Sequence, residues 1–193
     1  RTPHSPLNMS TLHSRARHLR TLGLALALGL ASAACQSSSD TYAVVSADPA
    51  VRGPLMDAVA GLEGRWSGMA PDGSNGTTEF EVSSKGSVVR QIKLAGTEHE
   101  MTNMYTLDGN ALMMTHYCAG GNQPHMRATS IEDGRIVFEP VAVSDLKAED
   151  EVYMGAMTLV IKDADTIEQH WASYKAGEAD DSHSMVIEMK RDR

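Results

Sequence analysis

From Gly64 onward, short turn signals recur along the chain: Asp72-Gly73, Asn75-Gly76, Lys85-Gly86, Asp108-Gly109, Asp133-Gly134 and Ala176-Gly177. Dipeptides of this kind supply the positive φ angles that tight hairpin turns require. Between them the residues alternate with period two. Phe80 and Val82 oppose Glu79 and Glu81, and Met185, Ile187 and Met189 oppose Ser184, Val186 and Glu188. Successive side chains of a strand point to opposite faces, so this pattern describes a sheet with one buried and one wet face. No long helical period separates the runs, which disfavours crossover helices and a parallel sheet.

The alternation predicts ten strands, at 64–70, 77–84, 87–94, 100–107, 111–118, 125–130, 135–141, 155–162, 166–174 and 183–191. Sequential strands joined by tight turns point to an all-β, up-and-down antiparallel barrel, because closure removes exposed edges; an open sandwich is the alternative. Ahead of them, Ala47–Leu62 places Leu55, Met56, Val59, Ala60 and Leu62 on roughly one stripe, with Pro54 suited to a helix start. That segment predicts one short N-terminal amphipathic helix. Residues 51–193 are thus expected to form a single barrel domain.

The N-terminal region has a different texture. Met9 is followed by Arg15, Arg17 and Arg20 with no acid, then by the apolar run Leu22–Leu30 and by Ala31-Ser32-Ala33-Ala34-Cys35. The run is too short to span a bilayer and has the length of a signal-peptide core. The segment resembles a bacterial lipoprotein signal, with residues 1–34 as the signal peptide and Cys35 as the lipidated new N-terminus. Ser32 stands where such signals usually carry leucine, and Leu30 lies two residues further back. Ala31-Ser32-Ala33 also fits ordinary cleavage, which would yield a secreted soluble protein. Residues 35–50, opening with Gln36-Ser37-Ser38-Ser39-Asp40, read as a flexible tether. The expected location is periplasmic or cell-surface, with the membrane as a partner through the lipid on Cys35.

Four of the 17 basic residues and none of the 25 acidic ones precede Cys35, which leaves 13 against 25 and a net charge of −12 beyond it. Nucleic acid is excluded as an expected partner, since phosphate binding needs a basic face. With Cys35 lipidated, Cys118 has no partner within the chain, so no disulfide framework is expected. The sequence contains no CxxC, HExxH, phosphate-binding glycine loop or GxSxG elbow.

Leu62-Glu63-Gly64-Arg65-Trp66-Ser67-Gly68 joins a helix end to a Gly-x-Trp that opens the first strand. This resembles the start of the calycins, the lipocalin and fatty-acid-binding-protein-like barrels, over residues 60–191 as a pattern of strands. The resemblance implies that Trp66 packs across the closed end of the barrel. It also implies that the interior holds a small, partly apolar molecule. The stretch Thr115–Met126 is similar to one in uncharacterised secreted bacterial proteins of this general type, which names no activity.

Strand parity puts Leu112, Met114, His116 and Cys118 on one face of the fifth strand and Ala111, Met113, Thr115 and Tyr117 on the other. If the first face lines the interior, His116 and Cys118 point into it. Asn122 and Gln123 then lie close enough to orient a polar group of a ligand. His116, Cys118, Asn122, Gln123, His125 and Tyr105 are the candidate ligand-binding residues. The competing view makes His116 a satisfied core histidine, Cys118 a buried filler and Asn122–Pro124 a plain turn.

Methionine is abundant, with 12 residues against two phenylalanines, and such soft side chains can fill or line a cavity. Together with His116, Cys118, His125 and Met126 they could bind Cu(I), although no Met-x-x-Met spacing occurs. Haem ligation through His116 or His170 is a further alternative. So is an enzyme in which Cys118 or His116 is activated by an acid such as Glu100 or Glu168. No cofactor is specified by any motif.

Overall fold

Turn chemistry sets the frame. Gly73, Gly86, Gly109, Gly134 and Gly177 all have positive φ, as do Lys85, Asp133 and Ala176 beside three of them. The computed structural model describes residues 43–69 and 73–193; the expected signal peptide, Cys35 and the first half of the tether lie outside the described residues. The strands are β1 (Gly64–Met69), β2 (Asn75–Ser83), β3 (Val88–Lys93), β4 (Met101–Asp108), β5 (Ala111–Tyr117), β6 (Gln123–Ala128), β7 (Arg135–Ser144), β8 (Val152–Asp163), β9 (Thr166–Lys175) and β10 (Glu178–Arg191).

Every sequential pair is antiparallel, and β1 also pairs with β10, so the ten strands form a closed up-and-down barrel. Asn75-Gly76 is not a turn: it opens β2, with Asn75 opposite Met69 and Gly76 opposite Gly68. The chain reverses between Met69 and Asn75, which face each other across the β1–β2 pair. Strands β8 and β10 begin earlier than the alternation indicates. The start of β10 is exposed and polar, and its pairing with β9 shifts register between Asp180 and Met185, so no period-two signal marks it.

The helix α1 (Pro49–Ala60) is capped by Asp48, whose Oδ1 accepts from the Ala50 N–H at 2.7 Å. Asp48-Pro49 starts the helix and Pro54 lies inside it, because an acidic N-cap followed by proline at the first helical position is the stronger start. The helix begins within residues 35–50, the stretch read as tether. Its Leu55, Met56 and Val59 are buried and join the core with Leu62 and Trp66. None of the helices among the described residues is long and apolar enough to cross a membrane.

Trp66 is fully buried; its Nε1 donates to the Leu62 carbonyl at 2.8 Å and its ring meets Phe80 edge-on. The Arg191 guanidinium lies 4.2 Å from the ring centre and donates to the carbonyls of Glu63 and Gly61. These contacts tie the ends of β10 and α1 to the start of β1. Trp66, α1 and the β2–β3 and β4–β5 connections therefore gather at one end of the barrel. The connections that follow β1, β3, β5, β7 and β9 gather at the other.

Candidate functional site

The interior changes character along its length. Near α1 the inward residues are apolar, among them Phe80, Val89, Leu112 and Ile167. Two residues further along the same faces of β2, β3 and β9 they become Thr78, Gln91 and Gln169, and β4 adds Asn103, all buried. An unpartnered buried amide is costly, and here the amides satisfy one another. Gln91 Oε1 accepts from Asn103 Nδ2 at 2.7 Å, the Tyr105 hydroxyl at 2.9 Å and Gln169 Nε2 at 3.2 Å, while Gln91 Nε2 donates to Thr78 Oγ1 at 3.0 Å.

Beyond this polar layer lies a cavity of about 320 Å³, at the small end of the range typical of ligand pockets. Met101, Met154, Met185, Met189 and Ile187 supply most of its apolar wall. Lys93, His116, Cys118 and Trp171 bring polar and aromatic groups to the same wall. Thus β5 does turn the His116 and Cys118 face inward, and methionines do line the space.

His116 sits opposite Asn103 in the β4–β5 register, and its Nδ1 lies 2.6 Å from Asn103 Oδ1. Asn103 Nδ2 is already engaged with Gln91, so Oδ1 accepts and His116 Nδ1 donates. The other ring nitrogen, Nε2, therefore carries a lone pair. It has no hydrogen-bond partner among the described residues, and the His116 side chain lines the cavity. Burial first, and then the charge of Lys93, lower the His116 pKa to about 3, which keeps the ring neutral.

Lys93 ends β3 with its Nζ 3.2 Å from Gln169 Oε1 and 4.4 Å from the centre of the Trp171 ring. Burial lowers its pKa to about 8, partly opposed by Cys118. At neutral pH it is therefore mostly an ammonium. The His116 ring also packs on Trp171, with 5.0 Å between centroids. Cys118 is a free thiol whose Sγ accepts from the Gly120 N–H at 3.4 Å.

The other candidates stand apart from the wall. Tyr105 is buried in the polar layer, its hydroxyl donating to Gln91, and burial raises its pKa well above the ordinary tyrosine range. Asn122 donates to Glu151 at 2.8 Å and its buried Oδ1 has no partner among the described residues; Gln123 donates to the Gly121 carbonyl at 2.6 Å. Gln123 thus holds the β5–β6 turn, and Asn122 ties that turn to the loop after β7. His125 bonds Thr115 and Ser144, on the face of the sheet opposite His116.

His170 pairs with Glu168 at 2.8 Å, and Glu168 also pairs with Lys162, on the outer side of β9; Glu100 accepts from the Gly96 N–H in an exposed loop. Among the described residues neither acid forms a hydrogen bond or ion pair with Cys118 or His116. Among the described residues no group of three or more His, Cys, Asp or Glu side chains could hold a metal ion.

Sequence reasoning passed over Lys93, Trp171, Gln91, Asn103 and Gln169. A signal for them existed, since Val89, Gln91 and Lys93 share one strand parity, as do Ile167, Gln169 and Trp171. Polar residues in step with apolar inward positions mark a polar interior.

The fold and site define a closed ten-stranded antiparallel barrel with an internal, mostly apolar cavity. No family model matches the chain, and no curated protein is significantly similar to it. Among solved structures it is similar to a protein of unknown function of the DUF3598 family from Nostoc punctiforme, at 17% identity and a TM-score of 0.48. That similarity covers 69% of this chain and 48% of the other, so this chain spans about half the length of that protein.

Proposed function

We propose that the barrel binds a small, largely apolar molecule, with its polar end toward Lys93, His116 and Cys118. The observation that carries this reading is a cavity of about 320 Å³ whose apolar wall of Met101, Met154, Met185, Ile187 and Met189 ends at a few polar groups. That combination of bulk apolar surface and sparse polar groups is what small-molecule sites share. Methionine side chains adapt to irregular ligand shapes. A calycin-like role agrees with the Gly64-x-Trp66 start and with the closed end built around Trp66.

The test is native mass spectrometry of the protein purified from its own host, alongside the Cys118→Trp variant, whose added bulk fills the cavity. The expected result is a retained small molecule on the wild type that is absent from the variant. A wild type that carries no molecule and takes up none from a host lipid extract defeats the reading.

For the cellular setting, the proposal is an exported lipoprotein: signal peptide 1–34, lipid on Cys35 and a tether from Cys35 to the start of α1 that holds the barrel near a membrane. The basic start, the apolar run Leu22–Leu30 and the small residues before Cys35 support it.

A further inference from the structure

The cavity wall carries a positive charge, and no described residue on that wall supplies a negative charge to match it. Lys93 is the only charged residue on that wall among the described residues, and its Nζ meets the neutral Gln169 amide and the face of Trp171. None of the carboxylates among the described residues forms an ion pair or hydrogen bond with it; its one side-chain hydrogen-bond partner there is Gln169. Taking an ammonium out of water is costly, and an amide oxygen and an aromatic face return only part of that cost. Buried charges in folded proteins are ordinarily paired.

We infer that the ligand is an apolar monoacid whose carboxylate completes the ion pair with Lys93 while its hydrocarbon part lies along the methionine wall. This rests on the binding reading above and names the ligand class. An ammonium has three N–H donors. One is directed at Gln169, which leaves two for a carboxylate. Charge-assisted hydrogen bonds of this kind strengthen where water is excluded. A neutral alcohol of equal length fills the same apolar space and leaves Lys93 without its counter-charge. The His116 ring, neutral and tied to Asn103, adds no second positive charge to the site.

The experiment compares octanoate with 1-octanol at neutral pH, titrated into the full-length protein and followed by tryptophan fluorescence. Trp171 lies on the cavity wall and Trp66 at the far base, so a ligand-induced change reports on Trp171. Octanoate is expected to bind at least about 10-fold more tightly than 1-octanol, the scale of a buried charge-assisted pair. Lys93→Met, close in shape and without charge, is expected to abolish that preference while still binding 1-octanol. Equal binding of acid and alcohol by the wild type overturns the acid inference and leaves the binding reading standing. So does a preference for octanoate that survives in Lys93→Met. Failure of both probes to bind overturns the two together, and the wild-type comparison decides the matter even if the variant does not fold.

Discussion

The Lys93 ammonium nitrogen stands 4.4 Å from the centre of the Trp171 ring, joining β3 to β9 across the barrel interior. The contact places a buried cation on the negative face of a buried indole. It also sets up an opposition between the needs of the fold and those of the site. The empty barrel bears the cost of a desolvated charge that a purely structural core would replace with an apolar side chain.

That cost gives the stability of the empty barrel a definite pH dependence. The Lys93 pKa falls from 10.5 to about 8 on folding. Between those values the unfolded chain holds more protons than the folded one, so stability rises with pH across the window and is flat in this contribution on either side. The effect is on the order of a few kcal/mol. Urea denaturation at pH 8 and pH 10, in a Cys118→Ala background that removes the neighbouring thiol, is expected to show the rise in Lys93 protein. Lys93→Met should lack it; equal pH slopes for the two would refute the assignment.

His116 behaves in the same sense at lower pH. Its pKa falls from 6.5 to about 3 on folding, so the unfolded state holds more protons between those values and stability is lost as pH falls through them. Nitrogen NMR at pH 5 is expected to find the ring neutral, protonated at Nδ1 and bare at Nε2. An imidazolium signal from His116 at that pH contradicts the bond to Asn103 as drawn. Asn103→Leu is expected to cost about 1–3 kcal/mol, because it strands His116 Nδ1 and one acceptance at Gln91.

At the junction that closes the barrel, Gly68 has no room for a side chain. A Cβ there would lie 2.2 Å from the Glu188 carbonyl oxygen, which belongs to the backbone of β10 and cannot swing away. Gly68→Ala is therefore expected to destabilise the protein by about 1–3 kcal/mol, the ordinary cost of overpacking. Gly76→Ala, where the nearest atom is at 3.8 Å, serves as the control. Thermal melts of the two variants check this, and equal melting temperatures would show that the β1–β10 seam is looser than described.

The anchoring proposal has its own measurement. Cys35→Ser is expected to release the protein from membranes into the soluble fraction and to end incorporation of labelled fatty acid. If the wild type takes up no label and the variant still sediments with membranes, lipidation at Cys35 is wrong and simple cleavage after Ala33 becomes the alternative.

By itself the sequence determined the antiparallel all-β class and the hairpin pairing of successive strands, because turn dipeptides and period-two alternation act over a few residues. The final strand number and the closure of the barrel were decided by the tertiary structure. The sequence also put His116 and Cys118 on a common face, since strand parity is a property of the local backbone. It could not say which face was inside, nor that His125 would point away. Nor could it bring Lys93 to Gln169, 76 residues along the chain. Those facts depend on how far each strand slides past its neighbour and on the curvature that closes β1 against β10, which sum small offsets around the whole barrel. The Lys93, Gln91, Asn103, His116 and Gln169 cluster exists only after that sum is complete. Its polar side chains are stable indoors only because tertiary closure gives each one the partners that its own strand cannot.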